Sequence, residues 1–125
     1  MPSRILVVDD YPNTAEMFRR WLNRSATEIR TARDGLEAVN AAEEFRPNLI
    51  LLDLDLPTLS GFEVVERVRQ QPWGKDIIVI GMSGLPDPYD PERAGTAGFD
   101  AFLLKPVDYA RLVELVRSLF PPKDC

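Results

Sequence analysis

Along the chain, short continuous apolar runs alternate with stretches in which apolar residues recur at helical spacing. A run of about four to eight apolar residues suits a strand buried on both faces, and the helical spacing suits an amphipathic helix. Ile5-Leu6-Val7-Val8 predicts the first strand. Pro12 stands where a first helical turn begins, and Ala15, Phe18, Trp21 and Leu22 follow at near-helical spacing. Glu28-Ile29-Arg30-Thr31 alternates as an edge strand does, and Asp34-Gly35 reads as a turn. Leu36, Val39, Ala42 and Phe45 form a second helical stripe that Pro47 should end. Leu49-Ile50-Leu51-Leu52 is the most apolar run and predicts a central strand. Gly61 to Gln70 predicts a third helix with Phe62, Val65 and Val68 on one side.

Ile77-Ile78-Val79-Ile80 predicts a fourth strand and Ala101-Phe102-Leu103-Leu104 a fifth. Between them, Pro86, Pro88 and Pro91 forbid a regular helix before Pro91, which suits the first turn after an Asp90 cap. Gly95 weakens that fourth helix and Gly98 should end it, leaving about two turns, loosely held and readily shifted. Asp108 should cap a fifth helix with Leu112, Val116, Leu119 and Phe120 inward, stopped by Pro121-Pro122. Five strands separated by five helices predict an α/β protein with a parallel sheet covered on both faces. Right-handed crossovers make it doubly wound, with strand order 2-1-3-4-5. No repeat, low-complexity tract or linker interrupts the pattern, so one domain over residues 1–125 is expected.

Ligands in such folds bind beyond the carboxyl ends of the strands. Asp9-Asp10 ends the first strand, Asp53 the third, Met82-Ser83-Gly84 the fourth and Lys105-Pro106 the fifth. Each has an ordinary reading: solvated turn acids, a Ser-Gly turn, a surface lysine. The chemistry comes from their convergence on one edge of one sheet. Two carboxylates about 4 Å apart repel by roughly 4 kcal/mol at an effective dielectric of 20. Lys105 alone is too little to balance three carboxylates, and a hard divalent ion with oxygen ligands, Mg²⁺ or Mn²⁺, fits the remainder.

Composition narrows the chemistry. The 125 residues contain no histidine, which removes the commonest general base, the commonest zinc ligand and any phosphohistidine donor within the chain. The net charge of −5 argues against nucleic-acid binding, which needs a basic footprint. The lone Cys125 has no partner for an internal disulfide. No apolar run approaches the ~20 residues of a membrane span, and Met1-Pro2-Ser3-Arg4 leads straight into a strand without room for a signal peptide. A cytoplasmic location is therefore expected.

Taken together, Ile5-Leu6-Val7-Val8-Asp9-Asp10, Asp34-Gly35, Asp53 with Pro57 and Gly61, Ser83 and Lys105-Pro106 resemble the receiver domains of two-component response regulators, from the first strand to the last helix. The resemblance implies a flavodoxin-like fold and a phosphorelay function, not enzymatic turnover of a free substrate. It implies Asp53 as the phosphoacceptor, and Asp9, Asp10, Asp53 and the main-chain carbonyl of Asp55 as ligands of Mg²⁺. By the same resemblance Ser83 meets a phosphoryl oxygen, Lys105 pairs with the phosphate, Pro106 follows a cis bond, and Phe102 is the aromatic that swings inward on activation. The donor would be a histidine kinase or histidine phosphotransfer protein, and the output a protein contact through the fourth helix, fifth strand and fifth helix. Monomer or weak dimer is the expected state. The segment Gly98 to Asp108 also looks like the receivers of hybrid histidine kinases.

Asp55, two residues past Asp53, is either a solvated loop acid or a fourth carboxylate that alters metal affinity and acyl-phosphate lifetime. The chief rival function is a haloacid-dehalogenase-like aspartyl-phosphate phosphatase, suggested by Asp53-Leu54-Asp55. That family has Thr or Val where Pro57 stands, and its nucleophile follows the first strand of the domain. A nucleotide-binding domain lacks its Gly-rich loop here, and a degenerate receiver would lack residue types that are all present.

Overall fold

The computed structural model describes residues 4–84 and 98–119. β1 (Arg4–Val8), β2 (Glu28–Ala32), β3 (Leu49–Asp53), β4 (Ile78–Ser83) and β5 (Ala101–Leu104) form one parallel sheet in the order β2-β1-β3-β4-β5. The α-helices are α1 (Pro12–Trp21), α2 (Gly35–Phe45), α3 (Gly61–Arg69) and α4 (Tyr109–Leu119), with a 3-10 turn at Pro72–Gly74.

Alternation along the apolar runs sorts them onto two faces. Leu6, Val8, Ile50 and Leu52 pack with Ala38, Ala42, Phe45, Val64, Val65 and Val68 from α2 and α3. Ile5, Val7, Leu49 and Leu51 pack with Ala15 and Phe18 of α1, with Leu22 that caps it, and with Leu112 and Val116 of α4. Because both faces are covered, β3 is buried from end to end, which is why its sequence shows no polar alternation. β2, at the edge, buries only Ala32 fully.

Four α-helices stand among the described residues where five were expected. The segment assigned to the fourth, 91–97, lies outside the described residues. Its local helix signal is weak, because Gly95 carries the largest backbone entropy cost and Gly98 leaves room for only about two turns. The last helix of the sequence is thus α4.

In several details the structure departs from expectation. Asp34 caps α2 through Oδ1, which accepts from Glu37 N at 2.8 Å, so Asp34-Gly35 begins a helix. Leu36 is 49% exposed and Ala38 takes the buried position, because the stripe that faces the sheet runs through Ala38, Ala42 and Phe45. As Pro47 predicts, α2 ends at Arg46, which lies in the left-handed region. β4 continues through Gly81 to Ser83, three residues beyond its apolar run. On α3, Val64, Val65 and Val68 are buried and Phe62 is half-buried. Ser60 and Glu63 form a reciprocal capping box at its start. Phe120 lies outside the described residues.

Candidate functional site

Strand register brings the site together. Val8 pairs with Leu52, so Asp9 follows β1 beside Asp53 at the end of β3. Asp53 pairs with Met82, and Ser83 pairs with Leu104, so Ser83 and Lys105 stand beyond it in turn. Lys105 N donates to Ser83 O at 2.8 Å, which carries the pairing of β4 and β5 to the edge of the site.

Asp53 is 2% exposed and both its oxygens are held. Oδ2 accepts from Lys105 Nζ at 3.0 Å, and Oδ1 accepts from Asp55 N at 3.0 Å. Asp9 is fully buried. Its Oδ1 accepts from Tyr11 N at 3.0 Å, but its Oδ2 is buried with no hydrogen-bond partner among the described residues. One carboxylate oxygen each from Asp9, Asp10 and Asp53 lies within 4.8 Å of the others. Burial raises the Asp9 pKa above the ordinary carboxylate value, and the charges of Asp53 and Asp10 add to it; the Tyr11 N–H and Lys105 pull the other way. A buried, unpartnered acceptor among like charges is the environment a hard cation relieves, so the donor set fits an oxygen-ligated divalent ion.

Ser83 is fully buried at the end of β4. Phe102 is half-buried, its ring 4.7 Å from that of Phe99. A Cβ on Gly81 would come within 2.8 Å of the Phe102 ring, so the ring lies on bare backbone of β4. The Lys105–Pro106 bond is cis. Asp55 has an exposed side chain, and the clustered acids are Asp9, Asp10 and Asp53. Two contributors leave no mark in the sequence: the backbone N–H groups of Tyr11 and Asp55, each two residues past the aspartate it serves. Such Asx-type bonds depend on the backbone path, and side-chain identity does not announce them. A cleft of ≈ 330 Å³ between Tyr11, Met17 and Trp21 on one side and Lys105, Pro106 and Val107 on the other opens beside Asp9.

A doubly wound sheet with three acids and a lysine at its carboxyl edge defines a phosphoacceptor of the His-to-Asp signalling kind. Residues 5–117 match the family described as response regulator receiver domain, and the chain belongs to that family. It is 34% identical over 118 residues to the polar-differentiation response regulator DivK of Brucella anthropi, covering 94% of this chain and 96% of that protein. The chemotaxis protein CheY4 of Vibrio cholerae superposes with a TM-score of 0.87 at 27% identity, covering 96% and 100% of the two chains. The receiver domain of the sensor histidine kinase PA1611 of Pseudomonas aeruginosa, whose active-site cleft coordinates a magnesium ion, superposes with a TM-score of 0.82 at 29% identity, covering 95% and 98%. Relatives thus include both response regulators and receivers of histidine kinases, and the resemblance of residues 98–108 to the latter does not separate the two. Receiver identity makes the chemistry autocatalytic phosphorylation and dephosphorylation, with histidine kinases or phosphotransfer proteins as the partners of this domain type. No helix among the described residues is long and apolar enough to cross a membrane.

Proposed function

We propose that the chain acts as one receiver domain over residues 1–125, in the cytoplasm and as a monomer or weak dimer, with Asp53 as the phosphoacceptor. The observation that carries this reading is the double restraint of the Asp53 carboxylate by Lys105 Nζ and Asp55 N inside the acid cluster. A carboxylate fixed from both sides presents its oxygens in one orientation, which is what attack on a bound phosphoryl group requires. Asp9, Asp10, Asp53 and the Asp55 carbonyl would hold Mg²⁺ or Mn²⁺. A bound ion there supplies charge neutralisation at the transferring phosphoryl group.

An Asp53 oxygen attacks phosphorus while the P–N bond to the donor imidazole breaks and the nitrogen keeps the electron pair. Lys105, paired with Asp53 before transfer, then balances charge on the phosphoryl oxygens. The Ser83 hydroxyl meets one of those oxygens and moves inward, and the Phe102 ring takes up the space released. The changed surface spans β5 and α4, where Leu104 and Tyr109 are about half exposed, and it engages a partner protein. The Asp55 side chain, exposed beside the acceptor, tunes the lifetime of the acyl phosphate.

Intact mass after incubation with Mg²⁺ and a small phosphodonor tests the assignment. The native protein should gain one phosphoryl group and Asp53→Ala none; equal labelling of both would overturn it.

A further inference from the structure

We propose that Thr58 is a positioning residue for the Asp53 carboxylate, holding the loop between β3 and α3 in a strained path by bonding it to the first turn of α2. The inference rests on the reading of Asp9, Asp10 and Asp53 as a metal-dependent phosphoacceptor site. Thr58 is a backbone outlier, with φ 68 in the left-handed region. A β-branched side chain is sterically disfavoured there, and such residues persist only where their surroundings over-determine them.

The surroundings do so from α2. Leu36 N donates to Thr58 Oγ1 at 3.1 Å, and the Thr58 hydroxyl can donate to Asp34 Oδ1 at 3.4 Å, near the long limit for such a bond. On the residue before, Pro57 O accepts from Gly35 N at 3.2 Å and from Leu59 N at 2.9 Å. A Cβ on Gly35 would stand 2.3 Å from Leu59 O, so α2 approaches the loop as closely as only glycine permits. Elsewhere the loop is held by Leu54 N donating to Met82 O and Gly61 N to Leu54 O at its ends, and by Leu56 and Leu59 packing on the core; among the described residues, the side-chain hydrogen bonds from the loop to α2 are those of Thr58.

Between these anchors lies Asp55, whose N–H holds Asp53 Oδ1. Thr58 is three residues along the chain from it, and no regular element intervenes. Without the Thr58 hydroxyl the loop loses its side-chain tie to α2, whether or not the backbone there is strained, and the Asp55 N–H is held less firmly. The carboxylate then keeps its Lys105 bond on Oδ2 but loses its second restraint, and the acid cluster loses its fixed shape. A glycine would satisfy the backbone at this position without strain. The presence of threonine, with its hydroxyl bonded, therefore marks the hydroxyl as the group that matters.

Three variants separate positioning from fold stability. Thr58→Val keeps the branched side chain and removes the hydroxyl. Thr58→Gly removes strain and hydroxyl together, and Thr58→Ser keeps the hydroxyl. Mn²⁺ affinity is read from the electron paramagnetic resonance of free Mn²⁺, alongside urea unfolding without metal. The expected result is that Val and Gly each weaken Mn²⁺ binding by about tenfold while Ser stays near the native value. Thr58→Gly should do so without loss of metal-free stability, which a purely structural role cannot produce. Native-like Mn²⁺ affinity in either Val or Gly would overturn the proposal. Failure of the unaltered protein to bind Mn²⁺, or equal binding by Asp53→Asn, would instead overturn the reading of the site beneath it.

Discussion

The two edges of the sheet treat charge in opposite ways. At the amino edge, the Arg69 guanidinium is surrounded by acceptors. It donates to Gly74 O at 2.7 Å, Ile77 O at 2.6 Å, Gly98 O at 2.6 Å and Asp100 Oδ2 at 3.1 Å. Asp100 Oδ2 in turn accepts from Val79 N, and Arg4 Nη1 donates to Phe45 O, so charge and hydrogen-bonding capacity close on themselves. At the carboxyl edge, three carboxylates face one lysine and Asp9 Oδ2 has no partner among the described residues. One edge is built for stability. The other retains an electrostatic excess that a cation or a proton relieves, and that excess is the capacity to bind a ligand.

The contrast can be broken most directly at Arg69. Arg69→Ala leaves the carbonyls of Gly74, Ile77 and Gly98 without this donor and removes one of the two donors to Asp100 Oδ2, and urea unfolding should show a loss of about 2 kcal/mol. Folded Arg69→Ala should still take up phosphate on Asp53. A near-neutral change in stability would show that the amino edge is not the balanced one.

A smaller effect is expected from the ion itself. At ten times its dissociation constant, Mg²⁺ should stabilise the protein by about 1.4 kcal/mol, a rise in Tm of roughly 5 °C. The effect should be pH-dependent through Asp9. Its folded pKa is raised, so the uncharged form is favoured in the fold. The metal-free protein therefore carries no penalty from Asp9 below the ordinary carboxylate pKa, and loses stability as pH rises through the raised value. Metal binding needs the charged form and should weaken as pH falls through the same range. A Tm shift independent of pH across the acid range would count against this.

The smallest change is Asp9→Asn. The amide oxygen can keep the Tyr11 N–H bond while the like-charge repulsion disappears. Without metal this variant should be more stable than the native chain by about 1 kcal/mol, and it should lose the Mg²⁺-dependent Tm rise. A destabilised Asp9→Asn would mean that the carboxyl edge holds no excess charge to relieve.

Much of this is legible in the residues. Fully apolar runs mark strands covered on both faces, and the polar residues just past each run place Asp9, Asp10, Asp53, Ser83 and Lys105 on one edge. Periodicity misplaces Leu36, because it locates a stripe but not which of two adjacent stripes meets the sheet; Ala38, smaller and less hydrophobic, takes the inward place. Asp34-Gly35 reads as a turn because a helix cap and a turn use the same residue types. The Ser60–Glu63 capping box is present in the sequence as a spacing, a signal that would have fixed the start of α3.

By itself, then, the sequence determined the strand ends and hence the chemical groups that meet, because a parallel sheet brings the residues after its strands to one edge. Only the tertiary structure decided how those groups are bonded. That Asp9 has an oxygen without a partner among the described residues, that Asp53 is held by Lys105 and a backbone N–H, and that Thr58 is bent into the left-handed region against α2 all depend on the path of loops and on contacts between residues far apart in the chain. Local propensity cannot encode such contacts, because their energy exists only once the sheet has brought the segments together.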